Sequence, residues 1–365
     1  MKLCVAYPNA DNKFETFIRN HIQGLKPDYC LTGGWWVYRE PNGKSIFGGV
    51  WTEPLRVLLK RFFPAWYDKI YTHYLVKFLR KKQITHLLAE YGITGVRVMW
   101  ACQKANVNLV VHFHGFDASN KAVLQEFSPY YQEMSRIAKK IVVVSEDMKK
   151  NLMNINLPER KILNIPYGID PDLFSEKNIY PNDKIVISVG RLTFKKSPTL
   201  NIKAFNEVLK VFPEAQFWIV GDGELRQEAE NLVKTLGIEK NVRFWGYQTS
   251  AQIVQLLHKA DVFIQHSITE ARGDTEGTPN TVLEASCVGL PVVSTFHAGI
   301  KEAVAHGETG FLVQEGDYLA MAQHIIYLLE NPEIAQEMGK KARAKMLKEY
   351  NLPFQIEKLQ QAILG

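Results

Sequence analysis

The chain has 365 residues, is 46% hydrophobic and 22% charged, and carries a formal net charge of +6. At roughly 150 residues per domain, this length predicts about two domains that fold without disulfides or metals. The four cysteines form no CxxC pair and have no histidine cluster nearby. This pattern excludes zinc ribbons and secreted disulfide scaffolds.

The N-terminus carries no recognisable targeting signal. Met1 and Lys2 precede a five-residue apolar run that ends at Pro8, which is too short for a signal-peptide core. No stretch approaches the roughly 18 apolar residues of a membrane span. We therefore expect a cytoplasmic protein whose only membrane contact is peripheral, on the inner face of the plasma membrane.

The positive charge is concentrated in one segment. Residues 56–82 contain eight basic residues and one acidic residue, so the rest of the chain has a net charge of −1. A nucleic-acid-binding protein would spread basic residues along a groove, whereas this distribution indicates one local anionic partner. We expect no nucleic-acid partner.

Apolar strands alternate with helical-period segments along the chain. Predicted strands lie at residues 3–7, 86–89, 109–113, 141–144, 185–189, 216–220, 242–245, 262–265, 292–295 and 310–313. Predicted helices follow Phe14, Pro54, Thr94 and Asn120, and others begin near Pro198, Glu224, Ser250, Pro279 and Gly299. Strands that are apolar throughout and separated by helices predict an α/β fold with two Rossmann-like, doubly wound parallel sheets.

Glycine and proline density places the domain boundaries. We predict an N-terminal domain at residues 1–168, a linker at 169–183, a C-terminal domain at 184–348 and a C-terminal helix at 349–365. Pro353 separates this last helix, which we expect to cross back and pack on the first domain.

Residues 276–284, with the sequence EGTPNTVLE, predict an anion site between a strand and a helix. Thr278 suits an N-cap and Pro279 the first helical position, which would leave the backbone N–H groups of Asn280, Thr281 and Val282 for an anion. Glu276 and Glu284 bracket this site. Carboxylates at this position can accept hydrogen bonds from sugar and ribose hydroxyls. The alternative interpretation is that both are solvated surface glutamates without a ligand.

A second element, residues 190–196, follows the first strand of the second half. Gly190 allows a turn, Arg191 can clamp a phosphate, and Lys196 adds a point charge. Ligands of parallel sheets bind beyond the carboxyl ends of strands. Two cations and a helix N-terminus there predict a diphosphate site. The Gly-Asp-Gly at 221–223 lacks the third glycine of a dinucleotide fingerprint and indicates only a tight turn.

These motifs together resemble the retaining glycosyltransferases of family 4, which have the GT-B fold of two domains facing a cleft. The resemblance rests on GRLxxxK, VGDG and the paired glutamates followed by AxxxGxPVVST, and more loosely on residues 113–117, 143–146 and 165–170. Residues 15–18 and 273–277 are most similar to bacterial enzymes that build exopolysaccharide or lipopolysaccharide-type glycans. The usual glycine-rich loop after the first strand is absent, and residues 8–11 and 14–16 replace it.

The resemblance implies that the C-terminal domain binds a nucleotide-diphosphate sugar and that a hexose moves, with retention, to a glycan or lipid-linked glycan acceptor. Catalytic roles fall to Glu276, His114, Arg191 and Lys196. Gly190, Gly277 and the N-terminus of the 279 helix help bind the donor, Glu284 the ribose, and backbone around Arg243 and Phe244 the base. His114 would face the donor sugar across the cleft, with Asp117, Glu15 and Thr16 on the acceptor side.

The cations of this site would replace a metal, so we expect no metal or other cofactor beyond the nucleotide-sugar co-substrate. Alternative functions are a nucleotide-dependent oxidoreductase, disfavoured by the missing GxGxxG, and a catalytically idle sugar-nucleotide-binding protein.

The basic segment 56–82 has an apolar stripe that Pro64 is expected to break into two helices. The stripe comprises Leu55, Leu58, Leu59, Phe62, Phe63 and Trp66, then Ile70, Tyr74, Leu75, Phe78 and Leu79. Basic amphipathic helices bind anionic bilayers, where a lipid-linked acceptor would be presented. The alternative is a helix pair packed on the first domain with a solvated basic face.

Overall fold

The computed structural model describes residues 1–8, 15–47, 53–178, 180 and 182–365, with the backbone alone for 53–56 and 59. The chain divides into two units: unit 1 is Met1–Ile165 with Gln355–Gly365, and unit 2 is Pro166–Phe354. Each unit contains one six-stranded sheet whose strand pairs are all parallel. The predicted α/β class with two doubly wound sheets is therefore confirmed.

Unit 1 is built around a sheet of strand order β2-β1-β3-β4-β5-β6. Its strands are β1 (Leu3–Ala6), β2 (Tyr29–Leu31), β3 (His86–Glu90), β4 (Asn108–His112), β5 (Lys140–Val143) and β6 (Ile162–Asn164). Its helices are α1 (Thr16–Leu25), α2 (Glu53–Phe62), α3 (Pro64–Lys81), α4 (Gly92–Ala105), α5 (Phe116–Ser119), α6 (Lys121–Ile137) and α7 (Glu146–Asn154). The sequence patterns predicted neither β2 nor β6, which are three-residue strands at the sheet edges. Of the predicted replacement for the glycine-rich loop, residues 8–11 and 14–16, positions 9–11 and 14 lie outside the described residues.

Unit 2 has the strand order β12-β11-β10-β7-β8-β9. Its strands are β7 (Ile185–Val189), β8 (Gln216–Val220), β9 (Val242–Gly246), β10 (Val262–Gln265), β11 (Val292–Thr295) and β12 (Gly310–Val313). Its helices are α8 (Pro198–Leu209), α9 (Arg226–Leu236), α10 (Ser250–Lys259), α11 (Asn280–Cys287), α12 (Ile300–Ala303), α13 (Tyr318–Glu330) and α14 (Pro332–Glu349). All six strands match the sequence prediction to within one residue. Five of them are apolar and largely buried, whereas the edge strand β9 is only partly buried.

The segment predicted as a linker packs on unit 2. Phe174 and Lys177 are buried there, and the Lys177 ammonium donates to the carbonyl of Ala260. The last helix, α15 (Leu352–Leu364), begins in unit 2, and from Gln355 onward it belongs to unit 1. Leu359 and Ile363 of α15 are buried in the apolar cluster of unit 1.

The basic segment forms two helices, α2 and α3, separated at Pro64 as expected. Their apolar residues have different environments. In α3, Leu75, Phe78 and Leu79 are buried in unit 1, as packing on the domain requires. The described apolar side chains of α2 and of the first turn of α3 are instead 54–67% exposed; these are Val57, Leu58, Phe62, Phe63 and Trp66. The side chains of Leu55, Arg56 and Leu59 lie outside the described part of the chain.

Candidate functional site

The strand order of unit 2 reverses between β7 and β10, which are neighbours although three strands apart in sequence order. In open parallel sheets, ligands bind beyond the carboxyl ends of the strands at such a reversal. The loop after β7 carries Arg191 and Lys196, and the loop after β10 leads to Glu276 and into α11. The fold therefore brings the two predicted elements to one edge of the sheet.

Lys196 and Glu276 form an ion pair at this edge. The Lys196 Nζ lies 3.2 Å from Glu276 Oε1, and the side chains are 16% and 11% exposed. Burial alone would raise the pKa of the Glu276 carboxyl, but the ammonium groups of Lys196 and Lys195 hold this pKa below its ordinary value. Burial also lowers the pKa of Lys196, which Glu276 partly offsets. Glu276 is thus ionised and able to accept hydroxyl hydrogen bonds.

Gln265, the last residue of β10, links the two elements. Its Oε1 accepts hydrogen bonds from Lys196 Nζ at 3.3 Å and from the Thr281 hydroxyl at 2.9 Å, while its Nε2 donates to Ser267 Oγ at 2.8 Å. Gln265 is 2% exposed. It therefore positions both the cation and the first turn of α11. No motif in the sequence indicated Gln265, whose only signal was its place at a strand end.

Glu284 lies in the second turn of α11 and is half-buried. Burial raises the pKa of its carboxyl to about 7, although Lys196 opposes this shift. Near neutral pH this group is therefore poised between its protonated and ionised forms. Hydrogen bonds from hydroxyl donors would favour the ionised form.

The loop before α11 is fixed by a chain of polar contacts that the sequence did not reveal. The Glu276 backbone N–H donates to His297 Nε2 at 3.0 Å, and His297 Nδ1 lies 2.6 Å from Glu315 Oε1. Glu315 also accepts from the backbone N–H of Thr269 at 2.8 Å. Because Nε2 accepts, the proton of a neutral His297 resides on Nδ1. This chain orients the Glu276 loop before any ligand binds.

The start of α11 differs from the sequence prediction. The helix begins at Asn280, and its N-cap is Pro279, which has an extended ψ of 117° and makes no side-chain capping bond. The Val282 N–H donates to the Pro279 carbonyl at 3.1 Å. Val282 was therefore wrongly predicted to offer a free N–H group. Its bond to the N-cap carbonyl closes the first turn instead.

Two glycines allow the close approach of the loops after β7 and β8. A Cβ on Gly190 would stand 2.9 Å from Lys196 Cδ, and a Cβ on Gly221 would stand 1.9 Å from the Gly190 carbonyl oxygen. Both residues have positive φ angles, +151° and +126°. Gly190 thus lets the Lys196 side chain lie across the turn, while the Arg191 side chain is exposed at its rim.

The residues proposed for the base lie farther away, on the edge strand β9. Arg243 and Phe244 precede the carboxyl end of β9 by three and two residues. The Arg243 guanidinium stacks on the Trp245 ring at 3.7 Å, and β8 separates β9 from β7. The structure therefore does not bring these two side chains to Lys196.

In unit 1, His114 belongs to a buried cluster around Glu90. Its Nε2 lies 2.7 Å from Glu90 Oε2, and its ring stacks on Phe17 at 4.4 Å. Asp117 is fully buried and accepts hydrogen bonds from the backbone N–H groups of Gly92 and His114 at 2.7 and 2.9 Å. Asp117 thus holds the backbone of the His114 turn.

The predicted acceptor-side residues lie at the start of α1. Thr16 is the first residue of the helix, and Glu15 is its N-cap. The Glu15 Oε1 accepts a hydrogen bond from the Tyr91 hydroxyl at 2.8 Å. No motif in the sequence indicated Glu90, the last residue of β3, or Tyr91, which follows it.

Several curated proteins share sequence with this chain. WcaL of Escherichia coli K12, named as a colanic acid biosynthesis glycosyltransferase, is 34% identical over 72% of the chain. The amylovoran biosynthesis glycosyltransferase AmsK of Erwinia amylovora is 31% identical over 66% of the chain. The matches span 66% and 60% of those proteins' own lengths. An Escherichia coli UDP-Gal:alpha-D-GlcNAc-diphosphoundecaprenol alpha-1,3-galactosyltransferase is 26% identical over 78% of the chain and 76% of its own length.

Solved structures share the fold. HepE of Anabaena, crystallised with UDP, superposes with a TM-score of 0.80 at 19% identity over 99% of both chains. The sucrose-phosphate synthase of Thermosynechococcus elongatus superposes with a TM-score of 0.77 at 18% identity over 100% of this chain and 99% of its own.

Two family models match consecutive parts of the chain. The model for glycosyltransferase family 4 matches residues 36–173, and the model for glycosyl transferases group 1 matches residues 170–345. The predicted resemblance is thereby confirmed in both units, and the chain belongs to the family 4 glycosyltransferases of the GT-B fold.

Proposed function

We propose that this protein is a retaining glycosyltransferase that moves a hexose from a nucleotide-diphosphate sugar to a glycan or lipid-linked glycan in bacterial surface polysaccharide synthesis. The single observation that carries the proposal is the buried Lys196–Glu276 pair at the sheet reversal of unit 2. Glu284, in the second turn of α11, feels the charge of Lys196. Such a site offers a cation for phosphate and two carboxylates for hydroxyls.

Each side chain then has one role. Lys196 and the exposed Arg191 bind the diphosphate and stabilise the charge that develops on it as it leaves. Glu276 accepts hydrogen bonds from the transferred sugar, and Glu284 accepts them from the ribose. Because side-chain cations stabilise the leaving group, donor binding in unit 2 requires no metal.

Retention follows if the acceptor oxygen attacks the anomeric carbon on the face from which the diphosphate leaves. The bond between the anomeric carbon and the diphosphate oxygen breaks, the new glycosidic bond forms, and the acceptor proton passes to the departing oxygen. Atoms and charge balance without a protein nucleophile.

The names of similar proteins support the donor and acceptor classes. The HepE structures contain UDP, UDP with glucose, and UDP-glucose, and one relative uses a diphosphoundecaprenol-linked acceptor. Relatives named for colanic acid and amylovoran synthesis support a role in surface polysaccharides. Family membership favours glycosyl transfer over the oxidoreductase alternative.

The decisive experiment incubates the purified protein with α-linked UDP-hexoses and a short prenyl-diphosphate-linked N-acetylglucosamine. Proton NMR of the product reports the anomeric configuration. We expect an α-linked product from wild type and a loss of turnover in Glu276→Gln, with the exposed Glu228→Gln as control. A β-linked product would contradict retention, and donor binding without product would favour the idle binding protein.

We also propose that the exposed apolar surface of residues 57–66 docks unit 1 on an anionic membrane. Five large apolar side chains are exposed there, and Lys60 and Arg61 are exposed among them. An exposed apolar patch with adjacent basic groups suits the interface of an anionic bilayer. No helix in the described part of the chain is long and apolar enough to cross a bilayer.

A further inference from the structure

Unit 1 contains a cluster of three histidines around one carboxylate. His21 comes from α1, Glu90 ends β3, His112 ends β4, and His114 follows two residues later. All four residues are buried, at 9% exposure or less. Because β3 and β4 are neighbouring parallel strands, their last residues meet at one sheet edge, where α1 adds His21.

The carboxylate has two close imidazole partners and one more distant neighbour. Glu90 Oε1 lies 2.9 Å from His21 Nδ1, and Glu90 Oε2 lies 2.7 Å from His114 Nε2. His112 Nδ1 lies 3.7 Å from Glu90 Oε2, which is beyond hydrogen-bond distance. The His112 ring lies between the other two, 5.0 Å from that of His21 and 4.3 Å from that of His114.

The side chains of this cluster are of the kinds that bind metals. Three imidazole rings and one carboxylate converge in the interior of unit 1. Imidazole nitrogens and carboxylate oxygens are both ligands of divalent transition metals. Three of these residues, His21, Glu90 and His112, each offer one such atom within a small volume.

We propose that His21, Glu90 and His112 bind one divalent transition-metal ion. Their donor atoms all lie within 4.8 Å of one another, whereas ligands about 2.1 Å from a tetrahedral zinc stand roughly 3.4 Å apart. Small side-chain rotations therefore close the site. Two imidazoles and a carboxylate suit zinc or iron(II). His114 hydrogen-bonds to the ligating carboxylate and orients it.

The ion would fasten α1 to the ends of β3 and β4 and thereby fix the His114 turn. This role is independent of the donor diphosphate, whose residues all belong to unit 2. The expectation of no metal rested on the cations of the donor site in unit 2. The three proposed ligands are 69 and 22 residues apart and form no motif in the sequence.

The test measures metal binding by the full chain, with no activity readout. Metal-free protein is titrated with Co²⁺, and visible absorption reports a low-symmetry site with nitrogen and oxygen ligands. We expect saturation at one equivalent per chain, competition by Zn²⁺, and a higher Tm with Zn²⁺. His112→Gln and Glu90→Gln should weaken binding more than about 100-fold, and His114→Gln about 10-fold. The exposed His73→Gln is the control.

Measurements on the wild-type protein alone can contradict the proposal, so the test does not depend on whether the variants fold. If chelator-treated protein shows no visible cobalt band and no change in Tm with Zn²⁺, the cluster shares protons rather than a metal. Equal binding by wild type and correctly folded His112→Gln, judged by circular dichroism, would likewise contradict it. Elemental analysis of freshly purified protein distinguishes zinc from iron.

Discussion

The Lys196 ammonium lies 3.2 Å from the Glu276 carboxylate, and Gln265 accepts a second hydrogen bond from the same ammonium. Without donor, the cation proposed for the diphosphate is neutralised by the carboxylate proposed for the sugar. An unpaired charge at this depth would destabilise the fold. Donor binding adds phosphate to Lys196 and hydroxyls to Glu276, so both charges stay compensated.

The pair makes a prediction about stability. Lys196→Met and Glu276→Gln should each reduce the free energy of unfolding by about 3 kcal/mol, because each leaves one buried charge without its partner. The double variant should lose clearly less than the sum. Urea unfolding of all four proteins measures the coupling, and simple additivity would contradict the proposed pairing.

Glu284 makes donor binding depend on pH. Only its ionised form accepts ribose hydroxyl bonds, and its pKa is raised to about 7. The ionised fraction falls about tenfold between pH 8 and pH 6, so the donor Kd should rise about tenfold. Glu284→Gln should bind more weakly at pH 8 and show a flat profile in calorimetry, whereas Glu228→Gln should retain the wild-type profile.

Glu284→Gln also allows an independent test of the raised Glu284 pKa, through protein stability. The folded-state pKa of Glu284 is above its unfolded value, so the folded protein binds more protons and loses stability as pH rises from about 4.5 to 7. Glu284→Gln removes this cost, which is at most about 3 kcal/mol. We therefore expect a higher Tm than wild type at pH 8 but not at pH 4.5. A lower Tm at pH 8 would contradict the assigned pKa.

Arg191 should affect turnover more than affinity. Its exposed side chain at the rim of the site is proposed to stabilise charge on the leaving diphosphate, an interaction that strengthens in the transition state. Arg191→Ala should lower kcat about 100-fold while KM changes only a few-fold. The exposed Arg160→Ala, in unit 1, is the control, and a purely KM effect would assign Arg191 to ground-state binding.

The membrane proposal predicts salt-dependent binding to vesicles. Wild type should sediment with phosphatidylglycerol-containing vesicles at low salt and much less with phosphatidylcholine alone. Phe62→Ser with Trp66→Ser should abolish sedimentation. Leu347→Ser removes an exposed apolar side chain from α14 and should have no effect. If the double variant still sediments with the anionic vesicles, this surface does not dock on the membrane.

How far the sequence predicts the structure differs between the units. In unit 2 the regular alternation of strands and helices, with motifs at the strand ends, predicted the fold. The structure brings Lys196 within 3.2 Å of Glu276 at one sheet edge, and Glu284 follows in the second turn of α11. The error at the start of α11 arose because Thr278 suits an N-cap equally well one residue earlier. Local propensity could not decide between adjacent start positions.

Residues that act through distant partners could not be predicted. Gln265, His297 and Glu315 support the site by side-chain bonds across the fold, and no spacing in the sequence encodes those bonds. The motif resemblance singled out His114, yet the structure places both His112 and His114 near Glu90. In α2 the apolar stripe predicted an amphipathic helix, but only the fold could show that this stripe is exposed.

Thermal denaturation of the purified protein with UDP-, GDP- and ADP-sugars and with NADH, without added metal, tests the central claim most directly. A ligand that binds the folded state raises Tm even when the acceptor is absent. We predict that one nucleotide-sugar series raises Tm and that Glu284→Ala abolishes the increase. No response to any nucleotide sugar, together with a response to NADH, would contradict the proposed function.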